Sequence, residues 1–562
     1  MKKSFKGIIC SVLAIVLMAG VLSSCSGKDK VIDFIYPFSA DVNSYDPQVA
    51  STSDEFLIIE NTFEGLIRMD DEGNIKKGVA DSWEISSDKM TYTFKLKKGL
   101  KWNINTEKYE EGEKKGEFKD ERLQMLGYEF NPDITAHDFV FALRRAAKPE
   151  TACPLFSAIS SIKNAVAVNS NTKNTSSLGV KALDDYTLQI KLAYPDESFM
   201  ETLTSAVAMP CNQEFFNATK GRYGLKTKYT LFNGQFYLSQ ILETSYLLKK
   251  NELYLGDSPA KASELTLKIS DEDDDIIKNL NSGYYDAAFI NGSESAGILK
   301  DDNITTKPYI NTTWALRFNK NDEVFFNKDM RHAFCIGLSK PVEYEYEYIT
   351  NANNFMPSSC KIGSNNAVDA VGATVEKQNQ KKSIELWRKG LKTIEANEIT
   401  VKVITPYEME GTLKELLQGI QSGISTVVTN DEGEAVTLTL KVEAMTEEEM
   451  NNAIIKGEYD IAFCPFVATS DSAISFLRSV LNTTGGYNKE SVEKLLVKAE
   501  KAHDLSKKAE YIKKAEKAVI KTNLLCPLVY ETGYYAEAKG VKGVNFHEGT
   551  GRISFIYATR EE

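Results

Sequence analysis

Apolar and polar residues alternate along Thr91-Tyr92-Thr93-Phe94-Lys95-Leu96 and along Thr187-Leu188-Gln189-Ile190-Lys191-Leu192, the period-two pattern of a half-buried strand. Between them, Ala136 to Ala147 carries its apolar residues at helical spacing, with Thr135 at the N-cap position. Lys489 to Thr522, rich in Lys, Glu and Ala, predicts a long helical stretch whose charges form a solvated face. Interleaved helices and strands predict an α/β fold throughout. One pattern occurs twice: Ser282-Gly283-Tyr284-Tyr285-Asp286-Ala287-Ala288-Phe289 is echoed by Lys456-Gly457-Glu458-Tyr459-Asp460-Ile461-Ala462-Phe463. In each, glycine follows a helix-like stretch and an apolar run opens a buried strand. The spacing is too wide for a solenoid repeat, so the same helix-to-strand unit is expected in two lobes. Lys108 to Glu121 is charge-rich, contains Gly112 and Gly116, and lacks apolar periodicity; it predicts a surface loop.

Ile8 to Val21 is an apolar run of another kind. It is too short for a durable membrane span, follows the basic Met1-Lys2-Lys3-Ser4-Phe5-Lys6, and ends at Leu22-Ser23-Ser24-Cys25. An apolar residue, two small residues and a cysteine resemble the bacterial lipobox, whose thiol takes a diacylglyceryl group before cleavage. Each buried CH₂ of an acyl chain contributes about 0.8 kcal/mol to anchoring. Residues 1–24 are therefore expected to be a lipoprotein signal peptide. Cys25 is expected to be the lipidated first residue of a protein held on the extracytoplasmic face of the cell membrane, with 25–30 a flexible tether.

A chain of 562 residues is too long for a single core and predicts several domains. Its formal charge of −12 argues against nucleic acid as a partner, because phosphate contacts need clustered Lys and Arg. Beyond Cys10 and Cys25, the cysteines Cys153, Cys211, Cys335, Cys360, Cys464 and Cys526 are widely spaced, which fits disulfides or scattered buried thiols equally. His137, His332, His503 and His547 do not stand at metal-ligand spacing from a cysteine or another histidine, so no metal is expected. Ser-x-x-Lys occurs, as at Ser86 to Lys89, without an accompanying Lys-Thr-Gly, and neither a G-x-S-x-G elbow nor H-E-x-x-H is present. Asp271-Glu272-Asp273-Asp274-Asp275 lacks the glycine and glutamate of a calcium loop and fits a solvated helix start. Catalytic residues and cofactors are therefore not expected.

An ordered set of motifs carries a family resemblance over essentially the whole chain beyond Cys25. It begins with Ser44-Tyr45-Asp46-Pro47, Asn61-Thr62-Phe63-Glu64-Gly65-Leu66-Ile67-Arg68 and Gly78-Val79-Ala80-Asp81-Ser82-Trp83-Glu84. It continues through Leu96 to Trp102, Thr135-Ala136-His137-Asp138 with Arg144-Arg145, and Val180 to Leu188. Asn233-Gly234-Gln235-Phe236-Tyr237-Leu238, Lys250-Asn251-Glu252-Leu253-Tyr254-Leu255-Gly256, Phe318-Asn319 and Met330-Arg331-His332-Ala333-Phe334 complete it. The set resembles the solute-binding lipoproteins of ABC peptide importers, the oligopeptide-binding type. Gly65, Gly78 and Gly99 read as turn positions and Trp83 and Trp102 as core aromatics, so the motifs identify a fold more than a ligand.

The resemblance implies two α/β lobes with a ligand cleft between them and an additional third domain. The expected division is lobe one from 31–75, 180–308 and 527–562, the extra domain from 76–179, and lobe two from 309–526. It implies a monomer that captures a peptide or other small solute, closes on it, and hands it to ABC permease subunits. The family fixes the ligand's α-ammonium with an aspartate; here Phe466-Val467-Ala468-Thr469-Ser470-Asp471 places Thr469 where that aspartate is expected. Either Asp471 takes over, or the ligand is not a free-amine peptide, since a buried unpaired ammonium costs several kcal/mol. Asp41, Val42, Asn43, Trp314, Phe466, Val467, Ala468, Thr469 and Asp471 form the expected ligand site. The alternatives are an amine-blocked peptide or oligosaccharide as solute, or a sensor or adhesion lipoprotein that has lost transport.

Overall fold

The structure is a computed structural model. It describes residues 32–561 except 71–73, 127–129, 197, 271–274, 293–294, 296–297, 299–300, 339, 342, 364, 393–397, 425–435, 469–470, 484–487, 503 and 548–550. Cys25 and its signal, Thr469, and most of the Asp271–Asp275 run lie outside the described residues. No helix of the described residues is long and apolar enough to cross a membrane.

Two strands join two bodies. Ile304–Phe318 and Leu525–Ala538 run antiparallel, and their pairing slips between Tyr309 and Thr312. Below the slip, Ile304, Tyr309, Tyr535 and Ala536 belong to a core that extends through Phe34, Phe94, Phe139 and Phe236. Above it, Trp314, Leu316, Phe318 and Leu528 belong to a separate core with Phe334, Trp387 and Phe463. At the slip the backbone oxygens turn to lobe-two segments: Ile310 O accepts from Ser359 N at 2.9 Å and Asn311 O from Ala468 N at 2.8 Å. A bulge that leaves ladder groups to other partners is a natural place for strands to bend. Gly533, paired with Tyr309, permits the close approach there, since a Cβ at this position would lie 2.4 Å from the Phe289 ring.

The seven-stranded sheet runs from Ala287–Ile290 in the first body into the second, where helix side chains pack on both of its faces. Strands Glu398–Pro406, Thr437–Met445 and Ile461–Val467 alternate as the pleat requires: Val401, Val403, Ile461 and Phe463 face one core, while Ile404, Ala462, Cys464 and Phe466 face the other. The parallel pairing of Glu398–Pro406 with both neighbours suits a sheet covered on both faces.

In the first body, one four-stranded sheet pairs Asp33–Phe38 with Glu264–Ile269 and its antiparallel neighbours. A second four-stranded sheet joins Ala80–Ile85, Thr91–Leu96, Thr187–Lys191 and Val180–Asp184. The last two strands therefore pair with the expected extra domain, although their sequence positions lie beyond 179.

The motif residues meet one another in the buried interior of this first body. Asp46 and Gln48 receive Arg145, which also lies 4.1 Å over the Phe216 ring. Glu64 Oε1 accepts from Tyr254 Oη at 3.0 Å, while Asn233 exchanges hydrogen bonds with the Glu64 backbone at 3.0 and 2.8 Å. Asn251 Nδ2 donates to Gly234 O at 2.9 Å. Motifs far apart in sequence are thus halves of shared buried polar contacts, which explains why they mark a fold. Gly99 adopts φ 81°, as a turn requires. Gly78 is small for another reason: a Cβ there would lie 2.5 Å from Gly65 O. Trp102 is fully buried and Trp83 packs partly against Phe94.

The helix over Ala136–Ala147 forms as expected, with a Thr135–Asp138 capping box. The repeated unit is present twice: Gly283 and Gly457 take φ 70° and 75° after their helices. In both copies the following aspartate accepts from the neighbouring strand, Asp286 from Ile35 N and Asp460 from Lys402 N, each at 2.7 Å. The long charged stretch departs from expectation. It is two packed helices, Lys489–Glu500 and Leu505–Ile520, because Asp504 caps the second. Its charge is not all solvated either: Glu516 is buried and accepts from Phe355 N and Met356 N at 2.6 and 2.9 Å. All six described cysteines are free thiols.

Candidate functional site

A cavity of 110 Å³ lies where the two bodies face each other. Ser157, Tyr194, Glu201 and Arg552 line it from the first body, and Asp471, Ser475, Arg478 and Lys508 from the second. This volume admits waters, an ion or a side chain.

Three carboxylate and imidazole groups converge beside it. Glu201 sits on the short helix Phe199–Thr202, His547 on the strand Asn545–His547, and Asp471 follows the strand Ile461–Val467. One donor atom from each lies within 4.8 Å of the others. His547 Nε2 is 3.9 Å from Glu201 Oε1, and Lys361 Nζ is 3.9 Å from Asp471 Oδ2. The Glu201 and Asp471 carboxyl groups face each other and share a hydrogen bond. Burial, and then the neighbouring Asp471 carboxyl, push the Glu201 pKa well up. Burial, and then the Arg552 charge, hold the His547 pKa far below its usual value, so the ring is neutral. Arg552 is itself engaged by Thr204 O at 2.7 Å and Glu60 at 3.4 Å.

The expected ligand residues divide. Trp314 is 3% exposed, donates to Glu531 Oε2 at 2.7 Å and packs on Phe463. Phe466 packs edge-on against Phe355 at 5.0 Å, and Ala468 is buried in the same core. Trp314, Phe466 and Ala468 therefore support the sheet around the crossover. Val467 is exposed. Asp471 reaches the cavity, where Glu201 and Lys361 engage its carboxylate. Asp41 and Asn43 are exposed and Val42 half-buried, and this segment is held within its own lobe: Asp41 N donates to Asp54 Oδ2 at 2.9 Å and Asn43 N to Glu55 Oε1 at 2.8 Å. Sequence reasoning missed Glu201, Lys361, His547 and Arg552. They come from segments far apart in the chain, and no local spacing announces them.

Comparison with known proteins places this geometry in context. The family model for bacterial extracellular solute-binding proteins, family 5, matches residues 74–488. The dipeptide-binding protein DppE of Bacillus subtilis is 23% identical over 90% of this chain and 88% of its own length. The oligopeptide-binding protein AmiA of Streptococcus pneumoniae is 29% identical, over 58% of this chain but only 51% of its own length. Among solved structures, Listeria monocytogenes OppA bound to peptide superposes with a TM-score of 0.72 at 21% identity, covering 95% of this chain and all of that one.

Proposed function

The chain belongs to the bacterial extracellular solute-binding proteins of family 5, and from this premise we propose that it captures oligopeptides outside the cell and delivers them to an ABC importer. Members of this family are binding proteins, not enzymes. The observation that carries the reading is the pair of strands joining two separate cores across a pairing slip, with a cavity bounded by both bodies. Such a joint permits hinge closure on a solute. The names of DppE and AmiA, a dipeptide- and an oligopeptide-binding protein, favour peptide as that solute. We assign residues around 304–309 and 533–538 to lobe one and 312–318 and 525–530 to lobe two.

Native mass spectrometry of the purified protein identifies co-purified peptide. Scattering on peptide addition should then show a smaller radius of gyration. Unfolding should shift upward by about 2.7 kcal/mol at a hundredfold excess over Kd. A broad peptide and oligosaccharide screen that moves neither quantity rejects this function and favours the sensor or adhesion alternative.

Lipid anchoring at Cys25 belongs to the same proposal. Cys25→Ala should leave an uncleaved precursor or a released protein, read by palmitate labelling and membrane fractionation. Labelling that persists in the variant rejects the anchor.

A second reading has its own support. Asp471 is engaged by Glu201 and Lys361, so its charge is not reserved for a ligand's ammonium. With Thr469 at the expected aspartate position, this favours a neutral end-group site and a solute whose amine is blocked or unread. Phe466 to Asp471, with Asp41, Val42 and Asn43, remain the proposed ligand-selecting segments.

A further inference from the structure

We infer that closure of the two lobes traps one proton between Glu201 of the first lobe and Asp471 of the second, so that solute capture takes up a proton and weakens as pH rises. The inference rests on the reading that this protein closes on a solute. The two carboxyl groups meet across the gap between the lobes and share a hydrogen bond there. An ionised carboxylate only accepts, so two of them hold such a bond only while one carries a proton. The place is secluded: Asp471 is 8% exposed and the Glu201 side chain 21%. A second negative charge there would meet the first in a medium that screens poorly. Opening returns Glu201 to water, where a carboxyl ionises at about pH 4.

Most other charges around the pair have partners in their own lobe, which opening leaves in place. Lys361 Nζ is 3.9 Å from Asp471 Oδ2, and Lys361 N donates to Asp471 O at 2.5 Å within the second lobe. Lys361 therefore stays with Asp471 when the lobes part, and it favours the proton on Glu201. On the first lobe His547 Nε2 is 3.9 Å from Glu201 Oε1, and Arg552 is held by Glu60 and Thr204. Burial, and then Arg552 of the same lobe, keep His547 neutral, while the second-lobe groups Asp471 and Lys361 act on it in opposite senses. Farther round the cavity, Asp196 accepts from Ser198 N and Oγ at 3.1 and 2.7 Å, and Arg478 pairs with Glu493 and Glu500 at 2.7 and 2.5 Å. Burial holds Tyr194 above its usual range, and Lys508 lines the second-lobe side. What closure adds is the meeting of Glu201 with Asp471. Burial, and then Asp471, push the Glu201 carboxyl well up, so the closed form keeps its proton at pH values where the open form has lost it. A group that binds its proton more tightly in the closed form stabilises that form at low pH and loses the effect as pH climbs through the raised value.

The test is scattering of the full chain at pH 7 and pH 9, alone and with a tryptic casein digest as the peptide probe. The wild type should be more compact at pH 7. The digest concentration that half-closes it should rise about tenfold or more at pH 9, since one linked proton changes the closing constant by up to about tenfold per pH unit. Glu201→Gln puts an amide donor where the proton sits, so its radius of gyration and half-closing concentration should not change with pH. Asp471→Asn does the same from the other lobe and serves if the first variant does not fold. Compaction by the digest at the same concentration at both pH values overturns the inference, as does a pH dependence that persists in the folded variants. A digest that compacts the protein at neither pH rejects the transport reading instead; the protein alone then decides the coupling, and equal radii at pH 7 and pH 9 overturn it.

Discussion

Replacing Arg145 with alanine should lower the stability of the first lobe by about 3–5 kcal/mol, the usual cost of stranding one partner of a buried ion pair. Its guanidinium is 7% exposed, pairs with Asp46, donates to Gln48 Oε1 at 2.9 Å and stacks over Phe216. Without it, the 4% exposed Asp46 side chain keeps a charge with no counter-ion. Denaturant unfolding of the variant measures the loss. The double variant Arg145→Met with Asp46→Asn should lose less than the sum of its singles, because the stranded charge is gone. A single-variant loss below about 1 kcal/mol would show that the pair contributes little.

Thr469→Asp should raise affinity for free-amine peptides relative to their N-acetylated forms by about 2–5 kcal/mol, the scale of a buried charge pair across an interface. The reason is the proposed alignment, which sets Thr469 where an ammonium-binding aspartate is expected. Asp471→Asn should leave the free-to-acetylated ratio unchanged, since Glu201 and Lys361 already engage that carboxylate. Parallel titrations of one peptide in both forms measure the ratio. A ratio that falls with Asp471→Asn and does not rise with Thr469→Asp makes Asp471 the ammonium partner instead.

Local pattern foretold local structure. The strand at Thr91–Leu96, the capped helix at Ala136–Ala147 and the twin Gly–x–Tyr–Asp units all depend on neighbours within a few residues, so alternation, caps and turn glycines reveal them. The ordered motifs went further and identified the family, because several of them are halves of buried contacts such as Arg145 with Asp46 or Glu64 with Tyr254. The stretch from Lys489 to Thr522 misled, because its composition is helical on both sides of the break at Asp504 and nothing local marks Glu516 as buried. Trp314 and Phe466 are buried, one in each core of the second lobe. An aromatic residue near a cleft and one in the core beside it have the same sequence signature, and only the pleat of the sheet turned these two inward.

By itself, then, the sequence determined the α/β class, the caps and turns, and the family. Only the tertiary structure decided where the chain crosses between lobes and what Asp471 faces. The crossover depends on a pairing slip between strands far apart in the chain. The grouping of Glu201, Asp471, His547 and Lys361 depends on two lobes meeting. Burial and charge act through distance in space, and residues brought together only by folding leave no spacing in the chain to be read.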